Sequence, residues 1–228
     1  MKIIVFAATK GGTGKTTLAF NAGLEAARHG TVFLAGMDPQ RSLAGLCETR
    51  GRHLDSPGDN PLLLEEVQSI GGAAAQLARA GYSRDYLIAD TPGSFMRVIE
   101  EAITAADCVV LPVQASPLDV LAQEDIARLV NKRGKETQAL FVLNRCDARV
   151  NQDDTVRRLG LVLACPIVRV NQRHDYARSL IAGQTGAEVN KACAGEVASL
   201  WAAIEAILQK DKSDEKAQHG GCPARTGA

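Results

Sequence analysis

Lys10-Gly11-Gly12-Thr13-Gly14-Lys15-Thr16-Thr17 decides how the rest of the chain is read. The apolar run Ile3-Ile4-Val5-Phe6-Ala7-Ala8 precedes it, and an amphipathic segment follows from Leu18. Strand, glycine loop and helix in that order is what a phosphate-binding loop requires. Glycines let the backbone pass close to a polyphosphate. Successive N–H groups and the helix N-terminus then face the anion. On this reading Gly11, Gly12, Thr13, Gly14 and Thr17 line the phosphates. Lys15 reaches the β- and γ-phosphates, and the Thr16 hydroxyl holds Mg2+. The usual pattern, G-x-x-x-x-G-K-[ST], starts with a glycine where this chain has Thr9, and this chain adds a lysine at Lys10. A glycine-rich turn with two surface lysines would not need the strand before it and the helix after it.

A second lysine at this place resembles the deviant Walker A box, KGG-x-GK-T, of the ParA/MinD family of ATPases. The resemblance implies hydrolysis of ATP with magnesium. It also implies that Lys10 reaches across a dimer interface to the nucleotide held by the partner subunit. It covers about residues 1–208 and is closest to the short ParA-type partition ATPases.

The bulk composition leaves room for that. A chain of 228 residues supports one domain with a continuous core. Lys plus Arg and Asp plus Glu each number 26, so no global field draws the chain to nucleic acid or membrane. Cys47, Cys108, Cys146, Cys165, Cys193 and Cys222 are scattered, which reads as free thiols in a reducing cytoplasm. No apolar run approaches a membrane span. Met1 leads directly into a strand, so neither a signal peptide nor the N-terminal DNA-reading domain of the longer ParA type is expected.

Apolar strands at 3–8, 31–35, 86–90, 108–113, 139–144 and 165–170 alternate with helical segments near 15–29, 93–106, 151–160, 173–182 and 187–208 and with one that opens at Ser116. Residues 50–61 read as a loop with one short edge strand, and 62–80 as helical. Alternation of this kind predicts an α/β fold, a doubly wound and mostly parallel sheet with helices on both faces, as in the P-loop NTPases. The expected domain is 1–208, and the polar stretch 209–228 reads as a disordered tail.

Ligands of such sheets bind beyond the carboxyl ends of the strands, so polar residues there are the candidates. Asp90 closes an apolar strand in the Walker B position, where a carboxylate holds magnesium through a bound water. Asp38 closes the second strand. Asp38-Pro39-Gln40 resembles the ParA switch I segment, in which the Asp positions the attacking water. The acid that usually precedes it in the D-x-D-P-Q pattern is replaced by Gly36. Taken alone, Asp38-Pro39 also reads as an ordinary turn. Asn144 ends another strand and offers a donor and an acceptor to an adenine edge, the place of a base-contacting residue in the family.

The resemblance implies a nucleotide-sandwich homodimer that binds DNA without sequence preference and is released when a ParB-like or adaptor protein stimulates hydrolysis. The location is cytoplasmic and nucleoid-associated, and the cargo a plasmid, a chromosome locus, a carboxysome or a chemoreceptor cluster. Arg145, Arg149, Arg157, Arg158, Arg169, Arg173 and Arg178 are the candidate DNA contacts, although scattered arginines also read as a solvated face. A MinD-like membrane ATPase would need a C-terminal amphipathic helix, and Lys210-Asp211-Lys212-Ser213-Asp214-Glu215-Lys216 has no apolar face. A metal-cluster ATPase of the same superfamily would need exposed cysteines at the dimer seam.

Overall fold

A computed structural model describes residues 1–54, 62–79, 81 and 83–219, with side chains described as far as residue 210. Seven parallel strands form one sheet in the order β3-β2-β4-β1-β5-β6-β7. They are β1 (Lys2–Phe6), β2 (Val32–Gly36), β3 (Leu62–Glu66), β4 (Tyr86–Asp90), β5 (Cys108–Gln114), β6 (Ala139–Cys146) and β7 (Ile167–Asn171). The helices are α1 (Lys15–Ala26), α2 (Ser42–His53), α3 (Ile70–Arg79), α4 (Met96–Ala105), α5 (Pro117–Lys132), α6 (Asp153–Val162), α7 (His174–Arg178), α8 (Gly186–Val189) and α9 (Lys191–His219). The fold is therefore the α/β sheet expected from the alternation, and where a mostly parallel sheet was expected every described pairing is parallel.

Strands covered on both faces carry apolar residues at consecutive positions. Ile4, Val5 and Phe6 of β1 are all fully buried, as are Leu87, Ile88 and Ala89 of β4. Alternate residues feed two cores. Val5, Phe33, Leu87 and Val109 pack beneath α3, α4 and α5. Ile4, Leu34, Ile88 and Val110 pack beneath α1 and α9, where Leu200, Trp201 and Ile204 close the opposite face.

Three elements differ from the sequence reading. Residues 62–66, expected as helix because Leu and Glu favour it, form the edge strand β3, and helix begins only at Ile70. Pairing with β2 in register, Val32 with Leu62 through Gly36 with Glu66, overrides the local preference. The helix α2 takes in 42–49, to which the sequence reading assigns no element, and 50–53, which it reads as loop; the rest of that loop and its short edge strand, 55–61, lie outside the described residues. Arg50 of α2 is buried and donates to Glu188 at 3.0 Å through both guanidinium ends and to the Gly183 carbonyl. The 187–208 segment is two helices, because Thr185 and Glu188 form a capping box on α8. Asn190 then caps α9, its Oδ1 accepting from the Ala192 N–H at 2.8 Å. The backbone of α9 runs on to His219, eleven residues past the expected boundary at 208; the rest of the proposed tail, 220–228, lies outside the described residues.

Candidate active site

The phosphate loop leaves β1 at Phe6 and enters α1 at Lys15. Gly12 and Gly14 have φ of 75° and 97°, left-handed values that a side chain would strain. At Gly14 a Cβ would also lie 2.2 Å from the Asn144 Nδ2 atom. The loop is anchored from three sides. Asn144 donates to the Thr13 carbonyl at 2.8 Å, Gln114 donates to the Gly12 carbonyl at 2.8 Å, and the Thr9 hydroxyl donates to the Ala122 carbonyl at 3.3 Å. A loop held this way keeps its N–H groups oriented before any anion arrives, which lowers the ordering cost of binding.

Lys15 is 7% exposed and faces Gly93, the glycine after β4; a Cβ there would lie 3.6 Å from the Lys15 Nζ. The Thr16 hydroxyl donates to Asp90 Oδ2 at 2.7 Å. Asp90 itself is fully buried, and its Oδ1 has no hydrogen-bond partner among the described residues. Burial pushes its carboxyl up to about 6, against the lowering effects of the Thr16 hydrogen bond and the Lys15 charge. An orphaned buried carboxylate oxygen beside a threonine hydroxyl fits the oxygen-donor preference of magnesium, which keeps most of its waters and takes few protein ligands. A cleft of about 780 Å³ runs from Gly11–Thr17 to Asp38, Pro39 and Gly93. The structure thus gathers the loop, Thr16, Asp38 and Asp90 at one end of the sheet.

Asp38 accepts from the Gln40 N–H at 3.0 Å, the bond of an ordinary Asx turn, and Arg41 follows in the left-handed region at φ 53°. The turn reading and the cleft-facing reading therefore both describe it. Asn144 lines a cavity with Gly14, Arg145 and Tyr176. Its amide is already used twice, on Thr13 and by the Arg145 N–H at 2.9 Å, which makes it a brace for the loop as well.

The two lysines of the loop diverge. Lys15 lies in the phosphate cradle, whereas the Lys10 ammonium donates to Asp119 in the first turn of α5. Lys10 is 49% exposed at its side chain and Asp119 only 7%. Ser116, the N-cap of this helix, also donates to Asp119, at 2.6 Å. Burial pushes the Asp119 carboxyl up, but the Lys10 and Ser116 hydrogen bonds outweigh it and hold the group below its ordinary range. This divergence separates the site from a single-lysine loop. A family profile described as ATPase MipZ matches residues 2–161.

The chain belongs to the MipZ family of ATPases.

Relatives agree with that placement. The chain is 32% identical over 178 residues, 74% of its length and 76% of the relative's, to a maintenance of carboxysome distribution protein A from Gloeobacter kilaueensis. It is 34% identical over 152 residues to the chromosome-partitioning ATPase Soj from Thermus thermophilus, covering 56% of this chain and 59% of that one. Among solved structures, apo McdA from Cyanothece superposes with a TM-score of 0.70 at 19% identity, covering 91% of this chain and 99% of that one. MinD from Aquifex aeolicus superposes with a TM-score of 0.70 at 19% identity, covering 86% of this chain and 94% of that one. This is a ParA/MinD-type ATPase with the P-loop NTPase fold.

Other sequence candidates have different places. Arg173 donates to Glu196 at 2.8 Å in a network with Asn171 and Tyr176, and so holds β7 to α9. Arg149 pairs with Asp147 and Arg169 with Asp153. Arg145 lines the nucleotide cleft. Arg157, Arg158 and Arg178 are exposed, with no ion-pair partner among the described residues. Cys108 and Cys146 are buried, at 0% and 3% exposure, and burial raises both thiols, which suits packing and not cluster ligation. No helix among the described residues is long and apolar enough to cross a membrane. Sequence reasoning missed Asp119, Gln114 and Gly93 as site residues. Only Asp119 carried a signal, as the acid three places after a capping serine.

Proposed function

We propose that this ATPase is a ParA-like positioning switch that works as a nucleotide-sandwich homodimer. What carries the reading is the outward turn of Lys10: an ammonium at the loop, half exposed, is held by its own subunit at a site other than its own phosphate cradle. In a face-to-face pair, Lys10 leaves Asp119 and enters the partner's cleft. There it offsets negative charge as the γ-phosphoryl group departs, the task of an arginine finger. Lys15 neutralises the β- and γ-phosphates from within the same subunit, and Asp38 orients the attacking water. Thr16 and Asp90 would hold magnesium, which supplies charge compensation on the phosphates when bound. Asn144 borders the base.

The dimer binds duplex DNA without sequence preference through Arg157, Arg158 and Arg178, and a ParB-like or adaptor protein stimulates hydrolysis and release. Such a protein works in the cytoplasm on the nucleoid. The relatives named for carboxysome distribution and chromosome partitioning support a cargo-positioning role. Lys10→Ala tests it: the variant keeps monomer affinity for ATP, measured by calorimetry, and loses ATP-dependent dimerisation and hydrolysis. Normal dimerisation and turnover in that variant would make Lys10 a surface lysine and sink the switch.

A further inference from the structure

Gly36 stands at the first acid of the D-x-D-P-Q pattern that Asp38-Pro39-Gln40 resembles, yet the space above it holds a carboxylate. Glu66, Gly36 and Asp90 form one row across three strands, in parallel register from β3 to β2 to β4. Residues paired in such a row project to the same face. Two residues back, Leu64, Leu34 and Ile88 pack with α1, so Glu66 and Asp90 point to the α1 side, where the phosphate loop lies. Gly36 has no side chain to fill the middle column. Glu66 leans into it: a Cβ on Gly36 would lie 2.6 Å from the Glu66 Oε1 atom and 3.2 Å from its Cδ. Adjacent strands are about 4.8 Å apart, so the lean brings the carboxylate to within roughly one strand spacing of the Asp90 column.

We propose that Glu66 supplies the carboxylate missing at Gly36, as a positioning residue for the hydrated magnesium ion held by Thr16 and Asp90. The inference rests on the magnesium assignment above. The described residues include no group of three His, Cys, Asp or Glu that could chelate a metal directly. Glu66 therefore acts one layer out, accepting hydrogen bonds from metal-bound water. Two observations carry this independently of the clustering of acids. Asp90 Oδ1 is buried without a partner on the same face. Glu66 also borders the groove that Asp38 lines, so the same carboxylate faces the turn that positions water. Gly36 is then not a lost acid but the gap through which an acid from the neighbouring strand reaches in.

The experiment uses Mn2+ as a paramagnetic probe, with the full chain and a non-hydrolysable ATP analogue, and reads metal affinity by electron paramagnetic resonance. Glu66→Gln should weaken Mn2+ about tenfold, the lower end for an outer-layer partner. Gly36→Ala keeps Glu66 but displaces its carboxylate, and should weaken it to the same degree. Glu66→Gln combined with Gly36→Asp should regain the affinity, because the acid returns from the other strand. Parental affinity in both Glu66→Gln and Gly36→Ala, with Asp90→Asn strongly impaired, overturns the role of Glu66 and leaves the metal site standing. A double variant as weak as Glu66→Gln overturns the relocation. Parental affinity in Asp90→Asn as well removes the metal assignment and this inference with it.

Discussion

Asp119→Asn should make the ATP-bound dimer tighter, an unusual direction for removing a buried charge partner. In the monomer, Lys10 is tied to Asp119, whose side chain is 7% exposed and also receives the Ser116 hydroxyl. The ammonium end is half in water, so solvent screening keeps the pair near the top of the range for exposed ion pairs, about 1 kcal/mol. Each subunit must break one such pair before its lysine can cross, so a dimer breaks two, about 2 kcal/mol, or roughly thirtyfold in Kd. Asn cannot hold the ammonium by charge, and most of that cost should disappear. Sedimentation velocity with a non-hydrolysable ATP analogue and magnesium would read the shift. In a Lys10→Ala background, Asp119→Asn should not restore dimerisation, because there is no lysine to release. An Asp119→Asn dimer of parental or weaker affinity would refute the competition between the two partners of Lys10. Fold stability should move the other way. The Asp119 carboxyl is held below its ordinary value, so its contribution is present at neutral pH and is lost as pH falls through the acid range; Asp119→Asn should cost stability at neutral pH and little in acid.

Other outcomes follow from the same geometry. Asp38→Ala should bind ATP and dimerise but turn over slowly, leaving a trapped dimer visible by light scattering; parental turnover would remove Asp38 from the mechanism. Asp90 has a carboxyl raised from 3.8 to about 6, chiefly by burial, so the folded protein holds a proton across that window that the unfolded chain releases. Nucleotide-free stability therefore falls as pH rises through it, by on the order of 3 kcal/mol for this group. Urea denaturation without magnesium should find Asp90→Asn more stable than the parent at neutral pH and no more stable at the acid end. Removing Arg157 and Arg158 together should weaken ATP-dependent binding to random duplex alike for all sequences and reduce its salt slope by about 2 per subunit, about 4 for the dimer. Arg173 is unsuited to that test, because its loss would leave Glu196 without its guanidinium.

How far the sequence could be read depended on where each residue's partners lie along the chain. The central strands were legible because burial on both faces leaves continuous apolar runs, as in Ile4-Val5-Phe6 and Leu87-Ile88-Ala89. Lys15, Thr16 and Asp90 were legible for a related reason: Asp90 ends one apolar run, Lys15 and Thr16 close the glycine loop that follows another, and in a parallel sheet those ends converge. The helix α2 carried a usable signal, since Leu43, Ala44, Cys47 and Arg50 make one buried stripe. Arg50 disguised it, because an arginine reads as surface until Glu188 appears 138 residues away. β3 was illegible on local grounds, since Leu62-Leu63-Leu64-Glu65-Glu66 suits a helix and only the ladder with β2 makes it a strand. Misreading that strand hid the function of its last residue. Gly36 looked like a missing carboxylate because the comparison was made along one strand. The sheet sets chemistry in rows across strands, and a glycine in the middle of a row lets the neighbour on one side reach toward the neighbour on the other. An acid can therefore leave its position in a motif without leaving the site, provided that the residue it vacates is small enough to let the replacement lean in.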